Sequence, residues 1–479
     1  MLFWYAMIVF FGTYILIASE KVHKTVAALL GGMLMLVVVL EGPLHISNGN
    51  GHGRASITEV IERSMASLQM KSQVQEEINR QHEQSERYTR LDMFARYANF
   101  DVIFTLAGMM ILVNILSGTG LFQYIAIKCA KFARGSPTRT MILLVLSTAF
   151  LSAFLDNVTT ILLVAPVTLL VATELDLPPL PFLMAETIAS NIGGTATLIG
   201  DPPNLIIGSV ADLNFLAFII NLMPFVIVIM LLYCVCLRQH YRHRMIVTVD
   251  KRARIMDLNE REAISDPVIL RRGCIVMGFT SLGFLLHGMM HIQPCVVAMS
   301  GATAAMLCCK VNVDHALEKI EWSTLFFFTG LFIVVNGADH AGVMAWFGSL
   351  LKFTHAWNPL VVVLLVMWIS AVASAITNNV SYTAAMVTII AAFINQAPLF
   401  RGNIEVQHLM WWGLALAVCL GGNGTLVGAA ANLVTAGIAG KAGIHVGFRD
   451  YLRFGLPVTF GSMVAATIYI TVRYYLLCQ

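Results

Sequence analysis

An all-α polytopic membrane protein built from two inverted repeats is the fold class that this sequence predicts. Of its 479 residues, 58% are apolar and only 12% are charged, whereas soluble chains carry about 25% charged residues. Apolar runs long enough to cross a bilayer recur along the chain. One polar motif and one glycine-rich motif each occur once in either half. The composition therefore predicts a membrane protein, and the repetition divides it in two.

Ten crossings and two hairpins are predicted from the apolar runs. Eight runs are continuous, near 2–18, 25–41, 101–118, 215–236, 271–288, 293–309, 323–339 and 452–476. Two more, 183–210 and 406–440, are interrupted by glycine-rich segments, which predict helices that break inside the membrane. A further two, 140–172 (hairpin 1) and 360–396 (hairpin 2), carry polar residues between apolar arms, which predicts re-entrant hairpins.

Matching segments define the two repeats. SAFLDNVT at 152–159 recurs as SAITNNVS at 374–381, and GGTATLIGDPPNLI at 193–206 recurs as GGNGTLVGAAANLV at 421–434. Each repeat contains five crossings, an odd number, so the two copies must be inverted relative to each other. The first half carries an insertion, 42–100, whose apolar spacing predicts an amphipathic helix outside the membrane.

Charge predicts the orientation. If the loop after the first span is cytoplasmic, that side collects 20 of the 30 lysines and arginines, many of them in the basic linker 238–270. Because cytoplasmic loops carry the excess of basic residues, we predict an N-terminus on the outer or lumenal side. Both the plasma membrane and the membrane of an acidic organelle fit this pattern. The net charge of +3 and the absence of a basic tract interleaved with aromatics argue against a nucleic-acid partner.

Polar residues at the hairpins and broken helices predict the functional site. Inverted repeats with broken helices are typical of secondary transporters, which bind their ions at the midplane where the repeats meet. Side-chain oxygens and bared carbonyls suit hard cations, whereas amides and hydroxyls also suit oxyanions. The predicted ion- or substrate-binding residues are Ser152, Asp156, Asn157, Thr159, Gly194, Thr195, Thr197, Asp201 and Asn204 in the first half, and Ser374, Asn378, Asn379, Ser381, Asn423, Thr425 and Asn432 in the second.

Acidic groups distinguish the two halves of this site. Asn378 replaces Asp156 in the second repeat. Ala429 likewise replaces Asp201. A buried carboxylate can hold a proton until a cation replaces it, so we predict proton coupling at Asp156 first, at Asp201 second and at Glu186 third.

Two further interpretations concern the same aspartates. A Na⁺ site is predicted at Asp156, Asn157 and Asn379, which supply side-chain oxygens at the two hairpin tips. Asp201 has an alternative structural role as the cap of a half-helix beginning at Pro202, because proline favours the first helical turn.

Three segments resemble the signature segments of the ion transporter superfamily: FLDNVTTILLVAPV, NIGGTATLIGDPPNLIIG and GGNGTLVGAAANLVTAGIA. That group contains arsenite permeases, sodium/proton antiporters and the melanosomal P protein, and the combination DNVTT, GDPPN and GGNGTL most resembles the P protein branch. The resemblance implies a homodimer in which a scaffold domain holds a transport domain that moves like an elevator. Related dicarboxylate carriers tend to have Ser-Asn-Thr at the hairpin tip, where this chain has an added acidic residue, Asp156.

The apolar runs, the repeats and the charge pattern predict the following segments, and the resemblance implies their scaffold and transport roles. The segments are 1–41, the first two scaffold spans; 42–100, the extramembrane insertion; 101–139, the third span and an interfacial helix; 140–212, hairpin 1 and a broken helix of the transport domain; 213–237, a span; 238–270, the basic cytoplasmic linker; 271–359, scaffold spans and an interfacial helix of the second repeat; 360–446, hairpin 2 and the second broken helix; and 447–479, the last span.

The predicted function is secondary active ion transport by alternating access, of the Na⁺/H⁺ exchange type that serves pH homeostasis. No enzymatic activity is predicted, and no cofactor other than Na⁺ or H⁺ as the coupling ion. The predicted partners are a small inorganic ion or organic anion, membrane lipid and a second copy of the chain. The alternative is an anion transporter or channel for chloride, arsenite or an organic carboxylate such as citrate. An intramembrane hydrolase using Asp156 and Asp201 is disfavoured, because no nucleophile or metal motif accompanies them.

Overall fold

The computed structural model describes residues 2–19, 22–41, 97–242, 259–350, 357–397 and 403–477, with a few isolated positions between these ranges. The regular secondary structure in these ranges is entirely helical. Most of the predicted insertion, 42–100, and the middle of the basic linker lie outside the described residues. The predicted all-α class is therefore confirmed for the described part of the chain.

Helices follow the predicted order. In the first half they are α1 (Leu2–Ser19), α2 (Lys24–Glu41), α3 (Phe100–Ser117), α4 (Leu121–Phe132), α5 (Pro137–Ser152), α6 (Asn157–Glu174), α7 (Leu180–Gly194), α8 (Pro202–Ala211) and α9 (Phe215–Tyr241). In the second half they are α10 (Pro267–Met290), α11 (Pro294–Cys309), α12 (Val313–Glu318), α13 (Trp322–His340), α14 (Val343–Leu350), α15 (Pro359–Thr377), α16 (Asn379–Gln396), α17 (Ile404–Gly421), α18 (Ala430–Lys441) and α19 (Phe448–Leu477).

Eight of the described helices are long and apolar enough to cross a membrane. They are α3, α6, α9, α10, α13, α15, α17 and α19. Four shorter apolar helices accompany them, namely α1, α2, α5 and α11. This pattern confirms a multi-pass membrane protein, whereas the ten crossings, the inversion of the repeats and the re-entrant character of the hairpins stay predictions.

The described chain forms two compact units. One comprises Met1–Phe100 with Phe327–Val343, and the other comprises Asp101–Phe326 with Met344–Gln479. In the first unit, a β-carbon at Gly330 would overlap the backbone of Ala28, so glycine permits close helix packing there. The second unit contains every predicted site residue.

Two helix breaks lie where the glycine-rich segments predict them. Break 1 comprises residues 195–201, between α7 and α8, and break 2 comprises residues 422–429, between α17 and α18. In each break, an asparagine amide from the following half-helix donates a hydrogen bond to a main-chain carbonyl. Asn204 donates to the Thr197 carbonyl at 2.8 Å, and Asn432 donates to the Thr425 carbonyl at 2.8 Å. The amides therefore satisfy carbonyls that the unwound backbone leaves without helical partners.

The half-helix after each break packs against a hairpin helix from the other half of the sequence. α8, which follows break 1, packs on α16 of hairpin 2, and α18, which follows break 2, packs on α6 of hairpin 1. Within each half, the first arm of the hairpin packs along the helix that precedes the break, α5 on α7 and α15 on α17. This arrangement brings the two hairpin tips and the two breaks together.

The turns at the two hairpin tips differ. Hairpin 1 turns through 153–156 before α6 begins at Asn157. Hairpin 2 turns at the single residue Asn378, whose φ of 79° is uncommon for a residue with a side chain. In both hairpins the first residue of the second arm is an asparagine, Asn157 or Asn379.

A short amphipathic helix flanks this bundle. α4 packs on α5 and α6 and on a 3₁₀ helix, Glu260–Ala263. Lys131 Nζ lies 2.7 Å from Glu260 Oε2, and this contact lowers the pKa of Glu260. The ion pair fixes part of the basic linker against the first repeat.

Candidate functional site

A carboxylate from break 1 lies between the tips of the two hairpins. Asp201 is fully buried, with 0% of its surface exposed. Its Oδ1 accepts hydrogen bonds from Asn157 Nδ2 at 3.2 Å and from Asn379 Nδ2 at 3.3 Å. The two asparagines begin α6 and α16, so each hairpin contributes one amide to the same carboxylate. The structure thus brings predicted residues of both halves together around Asp201.

The side chain of Asp201 is available to the site because its helix offers it no amide. Asp201 is the N-cap residue of α8, yet its carboxylate makes no capping hydrogen bond. The next two residues, Pro202 and Pro203, have no backbone N–H. The following amide, that of Asn204, donates to the main-chain carbonyl of Asp201 at 2.9 Å. The alternative interpretation of this side chain as a helix cap is therefore wrong, although the residue occupies the cap position.

Asn191, near the end of α7, links hairpin 1 to break 2. Its Oδ1 accepts from Asn157 Nδ2 at 3.0 Å. Its Nδ2 donates to Asn423 Oδ1 at 2.8 Å and to Asn432 Oδ1 at 3.1 Å. A continuous chain of side-chain amides therefore runs from Asp201 through α7 into the second half.

A cysteine of the second half makes the corresponding contact with the first half. Cys419 lies 228 residues after Asn191, the offset that also separates Asn204 from Asn432. Its Sγ lies 3.5 Å from Asn204 Oδ1, just as Asn191 contacts Asn432. The helix before each break therefore contacts the half-helix that follows the break of the other half. In one case the contact is made by the Asn191 amide, and in the other by the Cys419 thiol.

Asp156, the first-ranked proton-coupling residue, serves as a helix cap. Its Oδ1 accepts from the backbone amides of Val158 and Thr159, each at 3.0 Å. Its Oδ2 accepts from the Thr159 hydroxyl. Asn378 has the corresponding role in hairpin 2, where its Oδ1 accepts from the Val380 amide at 3.1 Å. These hydrogen bonds stabilise the start of α6.

Glu186, the third predicted acid, lies in a separate place on α7. Its side chain is buried, with 1% exposed. Thr168 Oγ1 on α6 lies 2.7 Å from one carboxyl oxygen and 2.8 Å from the other. No basic residue of the described chain forms an ion pair with it. An ionised carboxylate with one hydroxyl partner is costly to bury, so this environment favours a neutral carboxyl group.

One side-chain donor in the site lacks an acceptor. Asn423 is fully buried, and its Oδ1 accepts from Asn191. Its Nδ2 has no hydrogen-bond partner among the described residues. A buried donor left unpaired costs about 1–3 kcal/mol, so an acceptor atom from a bound molecule would be stabilised there.

The other predicted residues support the backbone of the breaks and hairpins. Most of their hydroxyls donate to main-chain carbonyls, and Gly194 packs against the backbone of Gly200. The contacts are Thr195 with Asn191, Thr197 with Ala153, Ser374 with Val418, Thr425 with Ala375, and Ser152 with the Ser190 hydroxyl, while Ser381 is buried in α16.

Sequence comparison of the repeats missed Asn191, Ser190 and Cys419. Matching polar residues between halves selects side chains present in both, whereas Asn191 is matched by Cys419. The available signal was a polar pair, Ser190-Asn191, in an apolar helix directly before two glycines. Among the described residues, no group of three or more His, Cys, Asp or Glu side chains could hold a metal ion.

Comparisons with known proteins agree with the resemblance seen in the motifs. The family model for citrate transporters, CitMHS, matches residues 14–417. An uncharacterized transporter of Mycobacterium bovis is 38% identical over 474 residues, which cover 98% of this chain and 99% of that protein. The 46 kDa membrane protein of Mycobacterium leprae is 38% identical over 469 residues, or 98% of each chain.

A more distant relative and a solved structure extend this result. The human P protein is 29% identical over 540 residues, covering 97% of this chain and 59% of the P protein. The crystal structure of the Alcanivorax borkumensis YdaH transporter matches 94% of this chain and 98% of its own, with a TM-score of 0.57 and 14% identity, which is a likeness of fold. The Mycobacterium bovis protein and the YdaH protein are named as transporters, in agreement with the prediction of a non-enzyme. The chain is therefore a membrane transporter of the citrate transporter (CitMHS) family.

Proposed function

We propose that the protein is a secondary active transporter in which Asp201 binds the coupling ion, with exchange of Na⁺ for H⁺ as its activity. The observation that carries this proposal is a single fully buried carboxylate held by amides from both hairpins. Relative to the sequence-based hypothesis, the Na⁺ site keeps Asn157 and Asn379 and exchanges Asp156 for Asp201.

Charge balance favours a proton or a cation at this position. The hydrogen-bond partners of the Asp201 carboxylate are neutral asparagines, and no described lysine, arginine or histidine forms an ion pair with it. A buried charge is stable only when it is paired or neutralised. A proton and a sodium ion can each neutralise the same carboxylate, and competition between them would couple their movements.

The amide chain through Asn191 supports movement of the site as one body. It connects hairpin 1 with break 1 and break 2, so a displacement of hairpin 1 would carry the two breaks with it. Alternating access by such a movement is typical of transporters built from repeats. The elevator mechanism, the homodimer, the lumenal N-terminus and the cytoplasmic linker are part of this proposal, and they rest on the sequence and the resemblance.

Anion transport is the second candidate function. The unpaired Nδ2 of Asn423 would donate to a carboxylate, arsenite or chloride, and the matching family model is described as a citrate transporter. An anion at this position would lie in the same amide cluster as Asp201, so it would enter together with a proton or cation that neutralises that carboxylate.

Sodium-driven proton movement in liposomes tests the proposal. Purified protein is reconstituted with a trapped pH dye, and Na⁺ or K⁺ is added outside. We expect an internal pH change with Na⁺ and none with K⁺. No change with either ion would contradict Na⁺/H⁺ exchange, and the same vesicles would then be challenged with chloride, arsenite and citrate. Flux that follows voltage alone and builds no gradient would indicate a channel.

The substitution Glu186→Gln tests whether Glu186 is a second proton site in addition to Asp201. Because glutamine resembles the neutral acid, we expect the variant to fold and to bind Na⁺ normally. Because Asp201 still exchanges its own proton, we expect proton movement per sodium ion to fall to about half when the second proton site is lost. The ratio of proton to ²²Na⁺ flux in liposomes measures this change.

The control for that substitution is Thr168→Val, which removes the one hydroxyl in contact with Glu186 and retains its carboxyl group. This variant should keep the coupling ratio near that of the wild-type protein. An unchanged ratio in Glu186→Gln would exclude Glu186 from proton coupling.

A further inference from the structure

A groove of about 500 Å³ opens between the end of α9 and the start of α19. Its floor is apolar and aromatic and includes Leu237, Phe454 and Pro457. Its rim is polar and includes His240 and Arg453. The groove therefore combines a lipophilic interior with an arginine at its edge, and none of its lining residues belongs to the Asp201 site.

The position of the groove suits a molecule that is itself part hydrocarbon and part charged. Beside the floor, Val235 is 50% exposed and Phe460 is 60% exposed, as expected for side chains that face lipid tails. Arginines lie near the two helix ends, with Arg238 and Arg242 at the end of α9 and Arg449 and Arg453 at the start of α19. The groove thus runs from bilayer-facing surface to the depth at which headgroups lie.

Arg453 is the basic residue best placed to receive an anion. It is exposed and makes no hydrogen bond or ion pair with the described residues. The acid on the same rim, Asp450, accepts a hydrogen bond from the Gly447 amide at 3.3 Å, as a residue near a helix start does. The Asp450 carboxylate is thus engaged by its own helix start, and the Arg453 guanidinium is the group at the rim that can receive an anion.

We propose that this groove binds an anionic phospholipid, with the headgroup phosphate at Arg453 and an acyl chain along Phe454 and Pro457. Basic pockets between transmembrane helices bind anionic headgroups in this way, and a neighbouring arginine contributes to that attraction. The apolar floor beside bilayer-facing side chains favours a lipid over a free phosphate ion, which would leave the floor empty.

The lipid groove lies on a helix that also contacts break 2. Gly455 of α19 packs so closely on break 2 that a β-carbon there would overlap the carbonyl of Asn423. A lipid that holds Arg453 and Phe454 therefore restrains the helix in contact with Asn423. An effect of the lipid on transport rests on the proposed function, whereas binding itself does not.

Native mass spectrometry of the purified protein tests binding. Phosphatidylglycerol and phosphatidylcholine are titrated into the full-length protein in detergent, with Arg453→Gln as the variant and Arg139→Gln as the matched control. Arg139 is also exposed, but it lies in the first turn of α5 and does not line the groove. We expect Arg453→Gln to weaken phosphatidylglycerol binding about fivefold, with phosphatidylcholine binding and the Arg139→Gln variant unchanged.

Two results would overturn the lipid site. One is equal loss of phosphatidylglycerol binding in both arginine variants, which would indicate a diffuse charge effect. The other is full displacement of the lipid by inorganic phosphate, which would show that the apolar floor contributes nothing. Retained lipid selectivity in a protein that transports no tested ion would contradict the proposed function and leave the lipid site supported.

Discussion

Asp201→Asn is expected to abolish ion-coupled transport while leaving the protein folded. We expect Na⁺-driven proton flux to fall by at least about 100-fold, which corresponds to about 2.8 kcal/mol. Asparagine keeps the size of the side chain and can still bond with the amides of Asn157 and Asn379 after rotation of its own amide. What it removes is the charge that a proton or a sodium ion neutralises.

The matched control is Asp156→Asn. Asp156 accepts capping hydrogen bonds from Val158 and Thr159, and asparagine caps helices about as well as aspartate. Asn378 already caps the equivalent helix of hairpin 2. We therefore expect this variant to retain most of its flux.

Both aspartate variants are measured in the same liposome assay, with reconstituted protein quantified by gel filtration and circular dichroism. A variant pair in which Asp156→Asn loses flux and Asp201→Asn retains it would refute the assignment. Loss of flux in both variants with both proteins folded would indicate that the two carboxylates act together.

The roles of Asp156 and Asp201 show how much of the site can be predicted from the sequence. Repeat matching and hydropathy predict both helix breaks and both hairpins, and they select Asn157, Asn379 and Asp201 as site residues. They do not rank Asp201 above Asp156, because both acids lie in polar motifs and both lack an acidic counterpart. Capping chemistry separates them. Amides follow Asp156, whereas two prolines follow Asp201.

Contacts between the halves are the part that sequence reasoning does not supply. The hydrogen bonds from Asn379 to Asp201 and from Asn191 to Asn423 join residues separated by 178 and 232 positions. They arise because α8 packs on α16 and α18 packs on α6. A repeat pattern indicates which segments are equivalent, but it does not indicate which residue of one copy contacts which residue of the other.

Gly200→Ala is expected to destabilise the protein and to disrupt the site. A β-carbon at Gly200 would lie 2.5 Å from the Ser152 carbonyl oxygen and 2.7 Å from the Gly194 carbonyl oxygen. Both neighbours are backbone atoms, so relief requires movement of hairpin 1 or of α7. Such overpacking costs about 1–3 kcal/mol, and the next residue in the chain is Asp201.

The equivalent glycine of the second repeat allows an independent test of this prediction. At Gly428, which lies 228 residues after Gly200, a β-carbon would lie 2.6 Å from the Gly422 carbonyl oxygen. Gly428→Ala should therefore lower the thermal unfolding midpoint in detergent to a similar extent. Because Ala429, rather than an acid, follows Gly428, we expect its loss of transport to be smaller than that of Gly200→Ala.

Gly437→Ala in α18 is the control, because a β-carbon there has no neighbouring atom within 4 Å. Alanine in a helix interior is favoured over glycine by about 0.8–1.0 kcal/mol, so this variant should be as stable as the wild-type protein or more so. If the thermal midpoints of all three variants were lower than that of the wild-type protein, the bundle would be intolerant of added volume in general. A lower midpoint in Gly200→Ala and Gly428→Ala alone would show that close backbone contact at the breaks holds the site, since Gly437 lies in the same bundle without such a contact.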